Sequence, residues 1–234
     1  KLITFLVTGT EGLKQDYARH YKLPFFKIKV LPNWVDIDRF RQKSAAAENL
    51  KSKLNISIDK KVILFTHHLS QRKGAHYLPE IARLLKDEPV VLLVAGSGPE
   101  RENIEWKIRK SDLEQKVRFL NSIPNKEIQN YFWIADVFIL PSEEEGFPHV
   151  LLEAMASGVP FVVFDVGGVK EISPPKFLEY IIAPSDIKSF SNKIKEILRY
   201  DRERIEKLSE IEQDWVKQFD LSIAFDKFKD IILD

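Results

Sequence analysis

The chain has 234 residues, enough for one large domain or two small ones, and 44% of them are hydrophobic. Its 36 Lys and Arg residues against 35 Asp and Glu residues give a net charge of +1, so no basic surface indicates a nucleic-acid partner. The absence of cysteine excludes disulfides and thiolate metal sites and favours a reducing compartment. The longest apolar runs, such as Val90 to Ala95, are too short to span a bilayer, so we expect no transmembrane segment.

The first part of the chain alternates between strand and helix. The pattern predicts a strand over Ile3 to Val7, a helix over Leu13 to His20 and a short strand over Ile28 to Leu31. A turn with the sequence PNWVD follows at residues 32–36. The next stretch, Arg41 to Ser52, is polar and rich in alanine, and we expect a helix or a linker there.

From Lys61 onward, short apolar strands alternate with amphipathic helices. The predicted strands are Val62–Thr66, Val90–Ala95, Val117–Leu120, Val137–Leu140, Pro160–Phe164 and Tyr180–Ile182. The helices between them are predicted at Tyr77–Leu85, Arg101–Arg109, Lys126–Trp133 and His149–Ala156. This alternation predicts an α/β fold with a Rossmann-like parallel sheet and helices on both faces.

Three further helices are predicted after the last strand. Asp186 is the expected N-cap of the first, whose apolar residues recur at helical spacing. A charged helix is predicted over Arg202 to Phe219, and a final one over Ile223 to Ile232.

The most informative segment runs from Ala135 to Glu171. Its first strand leads into an acidic loop at 142–145 and a tight turn at 146–148, and a helix follows. Two carboxylates, Glu145 and Glu153, bracket the turn with seven residues between them. We expect both to face one crevice at the carboxyl edge of the sheet, where open α/β sheets bind ligands. Because a helix N-terminus offers free N–H groups to a phosphate, the segment indicates an anionic sugar nucleotide as ligand.

Several motifs accompany this segment in a fixed order. They are Lys73-Gly74, Val94 to Pro99, Val117 to Leu120, Ala135-Asp136-Val137 and the sequence PSEEEGFPHVLLEAMASGVPFVVFDVGGVKE at 141–171. Together they resemble the signature of the retaining, sugar-nucleotide-dependent glycosyltransferases of family 4, which have the two-domain GT-B architecture. The resemblance runs from about Asn33 to Glu171 at the level of motifs and more loosely to the C-terminus.

The resemblance implies that this chain is the C-terminal half of a GT-B fold. Residues 1–40 would then be the end of an N-terminal, acceptor-binding domain with the interdomain linker, and residues 41–234 would be the donor-binding domain. The last helix, 220–232, would cross back toward the N-terminal domain through the apolar residues Phe225, Phe228 and Ile232. Because the chain begins with Lys1 and not with methionine, we expect it to be a fragment of a longer protein.

The resemblance also implies roles for the charged residues. Glu153 would bind the ribose hydroxyls and Glu145 the hydroxyls of the donor sugar, since a carboxylate can accept two hydroxyl donors. Lys73 would offset the charge of the leaving diphosphate. The alternative interpretation makes Glu145 a solvated loop residue, Glu153 a surface helix residue and Lys73 a surface lysine in a turn. The turn beneath the sugar and phosphates is expected to use Gly146 and the backbone N–H groups of Phe147, His149 and Val150.

One position departs from the family pattern. Relatives usually carry Gly-Arg before the lysine, where this chain has His67-His68, and a neutral histidine holds phosphate less well than a guanidinium. Arg72 could substitute for the missing arginine. We therefore include His68, Arg72 and Gly74 in the predicted substrate site.

The nucleotide is expected to meet the loops after two neighbouring strands. Gly96 and Ser97 form a tight turn near it, although a lone G-x-G is weak because residue 101 is Arg where the full dinucleotide motif needs Gly. The base is expected at the backbone from Asn121 to Ile123, which leaves uracil, guanine and adenine undistinguished. Gly167-Gly168 with Glu171 resembles the family's G-G-x-x-E, or is simply a loop before a helix.

The expected function is transfer of a sugar, with retention of configuration, from a UDP- or GDP-hexose to an acceptor glycan or lipid-linked sugar. No cofactor is expected, and no zinc-like histidine spacing predicts a metal. We expect a cytoplasmic protein, with peripheral membrane association left open, and a fragment that binds donor without transferring sugar alone. The alternatives are a non-catalytic nucleotide-sugar-binding or partner-binding module, and an enzyme of the same fold such as a phosphorylase or a sugar-nucleotide epimerase.

Overall fold

The computed structural model describes residues 5–42, 47 and 49–233. Within them a small parallel pair of strands, β1 (Leu6–Thr8) and β2 (Ile28–Val30), is connected by helix α1 (Glu11–Tyr21). A larger parallel sheet follows. Its strands are β3 (Lys61–Thr66), β4 (Val90–Ala95), β5 (Val117–Leu120), β6 (Val137–Leu140), β7 (Phe161–Phe164) and β8 (Ile181–Ile182).

Helices connect the strands of this sheet and complete the chain. In order they are α2 (Ile37–Arg41), α3 (Leu50–Lys53), α4 (Leu78–Leu84), α5 (Arg101–Lys110), α6 (Ile128–Ile134), α7 (His149–Ala156), α8 (Val169–Ile172), α9 (Ile187–Leu198), α10 (Arg202–Trp215) and α11 (Leu221–Leu233). None of these described helices is long and apolar enough to cross a membrane.

The six-stranded sheet has the order β5-β4-β3-β6-β7-β8, with every pair parallel. Every residue of β4, β6 and β7 is buried, as expected for parallel strands that are covered on both faces. Aromatic rings continue the core beyond the sheet, since Phe164 of β7 contacts Tyr77 at 5.7 Å and Phe190 of α9 at 4.9 Å between centroids. The predicted α/β class with a parallel sheet and flanking helices is confirmed.

The strand order reverses between β3 and β6. The chain first adds β4 and β5 on one side of β3, then returns to place β6, β7 and β8 on its other side. The loops that follow β3 and β6 therefore leave the same edge of the sheet side by side. A crevice at such a reversal is where open α/β sheets bind their ligands.

The predicted strands of the large sheet agree with the structure to within about one residue, and α7 has the predicted bounds. The helix predicted over Lys126 to Trp133 instead starts as a 3₁₀ turn, Asn125–Glu127, because Pro124 before it is extended, and α6 follows. The helix predicted to Phe219 ends at Trp215 and continues as a 3₁₀ turn, Val216–Phe219.

Several short elements were not predicted, among them α2, α8 and a 3₁₀ helix after α8. Helix α8 has four residues, too few for a periodic pattern. The six-residue 3₁₀ helix Pro175–Tyr180 begins with proline, which suits a first helical position, but it is too short for a periodic apolar pattern. Residues 3 and 4 of the strand predicted from Ile3 lie outside the described residues, as do 43–46 and 48 of the predicted helix or linker.

The end of the chain returns to its beginning. The N–H of Val35 donates to the carbonyl of Phe219 at 2.9 Å, and the N–H of Leu221 donates to the carbonyl of Val35 at 3.1 Å. These two bonds place the start of α11 against the segment between β2 and α2. The side chains of Phe225, Phe228 and Ile232 on α11 are exposed in the described part of the chain.

Gly74 fixes the loop that follows β3. Its φ of 68° is left-handed, and a Cβ at this position would overlap the carbonyl oxygen of Pro141. We expect Gly74→Ala to lower the free energy of unfolding by about 2 kcal/mol or more, because both the backbone strain and the clash oppose it. Urea denaturation measures this change.

Gly146→Ala is the matched control. Gly146 has no left-handed φ, and a Cβ there would meet Leu13 only at 3.6 Å, so the expected change is within about 0.5 kcal/mol. Equal effects of the two substitutions would contradict this account of the loop.

Candidate functional site

A crevice of about 340 Å³ opens at the carboxyl edge of the sheet. Its walls are the loops after β3, β4 and β5 together with one residue of α7. The lining residues are Thr66, His67, His68, Ala95, Gly96, Ser97, Ser122, Ile123, Asn125, Ile128 and Glu153. The strand reversal between β3 and β6 brings α7 to these loops, so this is the ligand position that the topology predicts.

The loops after β3 and β4 touch through their backbones. Gly96 has a φ of 139°, and a Cβ there would overlap the carbonyl oxygen of His67. The N–H of His67 donates to the carbonyl of Ala95 at 3.2 Å, and the N–H of Leu69 donates to the carbonyl of Ser97 at 2.9 Å. The floor of the crevice is therefore held by main-chain contacts, and the position of His67 is fixed.

Glu153 is the carboxylate of the crevice. It is partly buried on α7, where its neighbours Leu152 and Ala154 are completely buried. Burial raises the pKa of the Glu153 carboxyl from 4.5 to about 7, and the positive charge of Arg39 opposes this shift. The protein thus keeps an acid that titrates near neutral pH at the wall of a crevice, which is typical of functional sites.

Lys73 and Glu145 form a buried ion pair beside the crevice. Nζ of Lys73 lies 2.8 Å from Oε1 of Glu145, and the side chains are 9% and 5% exposed. Nζ also donates to the carbonyl of Glu144 at 3.5 Å. The loop of Lys73 is bound to the acidic loop by its backbone too, since the N–H of Glu143 donates to the carbonyl of Arg72 at 3.0 Å. The ion pair therefore joins the loops after β3 and β6.

His67 connects the ion pair to the crevice. It lines the crevice, and its Nε2 lies 3.6 Å from Oε1 of Glu145. Burial, followed by the positive charge of Lys73, lowers the pKa of His67 to about 4, so the imidazole is neutral at pH 7.

The turn before α7 faces the linker. The carbonyl of Phe147 accepts a hydrogen bond from Nδ2 of Asn33 at 2.6 Å, and its ring packs on Phe219 at 5.5 Å. His149 donates from Nδ1 to the carbonyl of Trp34 at 3.1 Å. Pro148 is the N-cap and provides no side-chain cap. The N–H of Leu151 donates to the carbonyl of Pro148 at 3.2 Å, whereas the N–H groups of His149 and Val150, the first two residues of α7, have neither an intrahelical partner nor a side-chain cap.

The crevice unites part of the predicted site. The residues predicted and found in its lining are His68, Gly96, Ser97, Ile123 and Glu153. Lys73 and Glu145 lie beside it, next to Gly74. The predicted residues outside the lining are Arg72, Asn121, Gly146, Phe147, His149 and Val150. Arg72 is exposed and lies 3.8 Å from Glu144, and no contact places it at the crevice.

Arg39 was missed by the sequence analysis. Its guanidinium donates to the carbonyl and the side chain of Asn125 and, at 3.1 Å, to Oε1 of Gln129. Asn125 lines the crevice, so Arg39 anchors the helix after the linker to the crevice wall. The sequence signal that could have indicated this helix was Asp36, a typical N-cap residue. It caps α2 by accepting the N–H of Arg39 and so sets the orientation of this short helix.

Glu171 caps helix α1 from a distance of 160 residues in sequence. Its Oε2 accepts the N–H of Glu11 and its Oε1 accepts the N–H of Gly12, both at 3.0 Å. Nearby, the N–H of Gly168 donates to the carbonyl of Gly146 at 3.1 Å. The G-G-x-x-E segment therefore joins the first helix of the chain to the loop after β6.

A larger cavity, of about 720 Å³, lies at the amino edge of the sheet. Its lining includes Lys61, Asp136 and Gln213, and none of the predicted site residues. Asp136 is already paired there with Lys61 at 2.9 Å. Size alone does not identify a site, and the titratable and glycine-rich features converge at the smaller crevice.

Comparison with known proteins agrees with this geometry. The family model of glycosyl transferases group 1 matches residues 46–215. The chain is 30% identical to the D-inositol 3-phosphate glycosyltransferase of Corynebacterium urealyticum over 86% of this chain and 50% of that protein. It is 32% identical to an uncharacterized glycosyltransferase of Methanocaldococcus jannaschii over 71% of this chain and 44% of that protein.

A solved structure has the same fold. HepE of Anabaena, crystallised with UDP-glucose, superposes with a TM-score of 0.87 at 20% identity, covering 99% of this chain and 64% of that one. The architecture is thus that of GT-B glycosyltransferases. The chain belongs to the group 1 family of glycosyl transferases, and it spans about half the length of the curated relatives it matches.

The capping contact of Glu171 has a measurable consequence. We expect Glu171→Ala to lower the free energy of unfolding by about 1 kcal/mol, because the first N–H groups of α1 lose their acceptor. Hydrogen exchange at the amides of Glu11 and Gly12 should become faster. Glu114→Ala, at an exposed glutamate, is the control and should change neither quantity. Unchanged exchange at both amides in Glu171→Ala would contradict the capping role.

Proposed function

We propose that this chain is the donor-binding part of a glycosyltransferase that moves a sugar from a nucleoside diphosphate sugar to an acceptor hydroxyl. One observation carries the proposal. The carboxyl of Glu153, whose pKa is about 7, lies in a crevice at the strand reversal. The buried ion pair of Lys73 and Glu145 lies beside this crevice. Membership of the group 1 family supports the same function.

The nucleoside half of the donor fits the crevice. The volume of the crevice, about 340 Å³, is within the usual range for a small-molecule site. Glu153, once ionised, accepts the two ribose hydroxyls as charge-assisted hydrogen bonds. The base lies against the loop of Ser122 and Ile123, where main-chain groups are available. The UDP-glucose complex of HepE makes a UDP-sugar the first donor to test.

The diphosphate lies between Lys73 and the N-terminus of α7. The N–H groups of His149 and Val150 begin that helix and suit an anion. In the reaction, the bond between the anomeric carbon and the β-phosphate oxygen breaks, and the nucleoside diphosphate leaves with the bonding electrons. Lys73 stabilises the charge that develops on it. The acceptor oxygen bonds to the anomeric carbon as its hydroxyl proton passes to a phosphate oxygen of the leaving nucleoside diphosphate, and Glu145 orients the sugar hydroxyls.

Retention of configuration and the domain division belong to the same proposal. The resemblance of the segment around Glu145 and Glu153 to the retaining glycosyltransferases of family 4 supports retention. The separate pair β1 and β2, and the return of α11 to Val35, support residues 1–40 as the end of an acceptor-binding domain with its linker. On this proposal the chain alone binds donor and gives no turnover, because the acceptor-binding part is almost entirely outside it.

A second candidate is a non-catalytic module that binds a nucleotide sugar. The observation that favours it is the pair His67-His68, which stands where relatives usually carry Gly-Arg, with His67 neutral at pH 7. Assay of the whole protein with donor and acceptor separates the two candidates, since only the enzyme releases nucleoside diphosphate.

Calorimetric titration with UDP-glucose and GDP-mannose tests the proposed site. We expect one nucleotide sugar to bind, with an affinity that rises from pH 6 to pH 8 because Glu153 must lose its proton. The change approaches tenfold per pH unit below a pKa of about 7. The diphosphate of these ligands does not titrate in this range. Glu153→Gln should bind more weakly and with a flat pH profile, and Glu114→Gln should match the wild-type chain. Equal binding by Glu153→Gln and the wild-type chain would sink the proposal.

The ionised form of Glu153 should also lower the free energy of unfolding of the chain. The pKa of this carboxyl is raised from 4.5 to about 7, so the folded state binds the proton more tightly and loses stability as pH rises through that window. We expect Glu153→Gln to raise the free energy of unfolding at pH 8 by roughly 1 to 3 kcal/mol. Urea denaturation at pH 4 and pH 8 measures the effect, which should vanish at the lower pH. A loss of stability at pH 8 would argue for a purely structural carboxylate.

A further inference from the structure

His67 lies closer to the ion pair of Lys73 and Glu145 than the exposed His68, which the sequence analysis placed in the site. His67 is the first residue after β3, and its side chain is 20% exposed at the wall of the crevice. The side chain of His68 is exposed. His67 is also the only one of the two with a contact to the ion pair among the described residues, at 3.6 Å from Glu145.

The tautomer of His67 is fixed by its neighbour. The backbone N–H of His68 donates to Nδ1 of His67 at 2.8 Å, so Nδ1 is an acceptor. The ring is neutral at pH 7 because burial and the charge of Lys73 oppose protonation, while Glu145 favours it and Arg72 and His68 oppose it weakly. A neutral imidazole with an accepting Nδ1 carries its one proton on Nε2.

The Nε2–H of His67 and the ammonium of Lys73 both lie near Oε1 of Glu145. Oε1 of Glu145 lies 3.6 Å from Nε2, beyond hydrogen-bond distance, and 2.8 Å from Nζ of Lys73. The imidazole N–H and the ammonium therefore converge on the same region. The backbone of His67 is held by its hydrogen bond to Ala95 and by the close approach of Gly96. The Cα from which the imidazole ring extends is therefore fixed in position.

We propose that His67 is a donor-binding residue whose neutral Nε2–H donates a hydrogen bond to a phosphate oxygen of the nucleoside diphosphate, beside Lys73. This inference rests on the proposed function. It explains how the site holds a diphosphate without the arginine that relatives usually carry. Lys73 supplies the charge, and His67 supplies a directional donor that adds no second positive charge next to it.

Two substitutions at the same position separate the two ring nitrogens. The amide nitrogen of Gln can occupy the place of Nε2, whereas the shorter side chain of Asn reaches only the place of Nδ1. We expect His67→Asn to weaken UDP-glucose binding about tenfold or more, since a hydrogen bond to a charged group is lost. His67→Gln should stay within about threefold of the wild-type chain. His20→Asn, the same change at an exposed histidine of α1 outside the crevice lining, should match the wild-type chain.

Uridine distinguishes a phosphate contact from a structural effect. It lacks phosphate, so its affinity, followed by NMR titration, should be the same in the wild-type chain and in His67→Asn. Thermal unfolding checks that each variant folds. If His67→Asn does not fold, the ¹H–¹⁵N spectrum of the wild-type imidazole decides, and an Nδ1–H or a charged ring at pH 7 overturns the proposal.

The outcomes separate this inference from the proposed function. A wild-type chain that binds neither uridine nor UDP-glucose overturns both. A wild-type chain that binds UDP-glucose, with His67→Asn unchanged or with uridine weakened equally, overturns the role of His67 alone. Selective loss of UDP-glucose affinity in His67→Asn, restored in His67→Gln, supports it.

Discussion

The buried ion pair between Lys73 and Glu145 is the contact on which the candidate site depends. It joins the loops that follow β3 and β6, the two strands between which the sheet order reverses. Each of these charges has lost most of its water, and removing one partner of such a pair typically costs about 3 to 5 kcal/mol. The pair therefore restrains the relative position of the two loops. It keeps the two loops in contact and leaves the crevice of Glu153 open beside them.

Glu153 shows the opposite arrangement, a partly buried carboxyl that forms no ion pair with any described residue. Burial makes its ionised form costly, which is typical of a group kept for binding and not for stability. Burial alone does not mark a site, however. Glu212 on α10 is completely buried and has a pKa well above its usual value, yet it does not line the crevice. Glu153 and Glu212 differ in position, because of these two residues only Glu153 lies at the carboxyl edge of the sheet, where the loops meet at the crevice.

The sequence predicted most of what depends on local pattern. The apolar strands, the N-cap at Asp186 and the bounds of α7 follow from composition and spacing over a few residues. Contacts between distant segments could not be found this way. The cap of α1 by Glu171 and the bond from Arg39 to Asn125 join residues 160 and 86 positions apart. Only the folded chain determines such pairs. The contact of the His149 side chain with Trp34 of the linker is another such pair, whereas the predicted role of the His149 backbone N–H at the phosphates stays a prediction.

Mapping the ligand by NMR tests the central claim, that a nucleotide sugar binds at the carboxyl edge of the sheet. A ¹H–¹⁵N titration of the chain with UDP-glucose should shift the amides of Gly96, Ser122 and Glu153, which line the crevice. Shifts that cluster around Asp136 and Gln213, at the larger cavity on the opposite edge, would contradict the account.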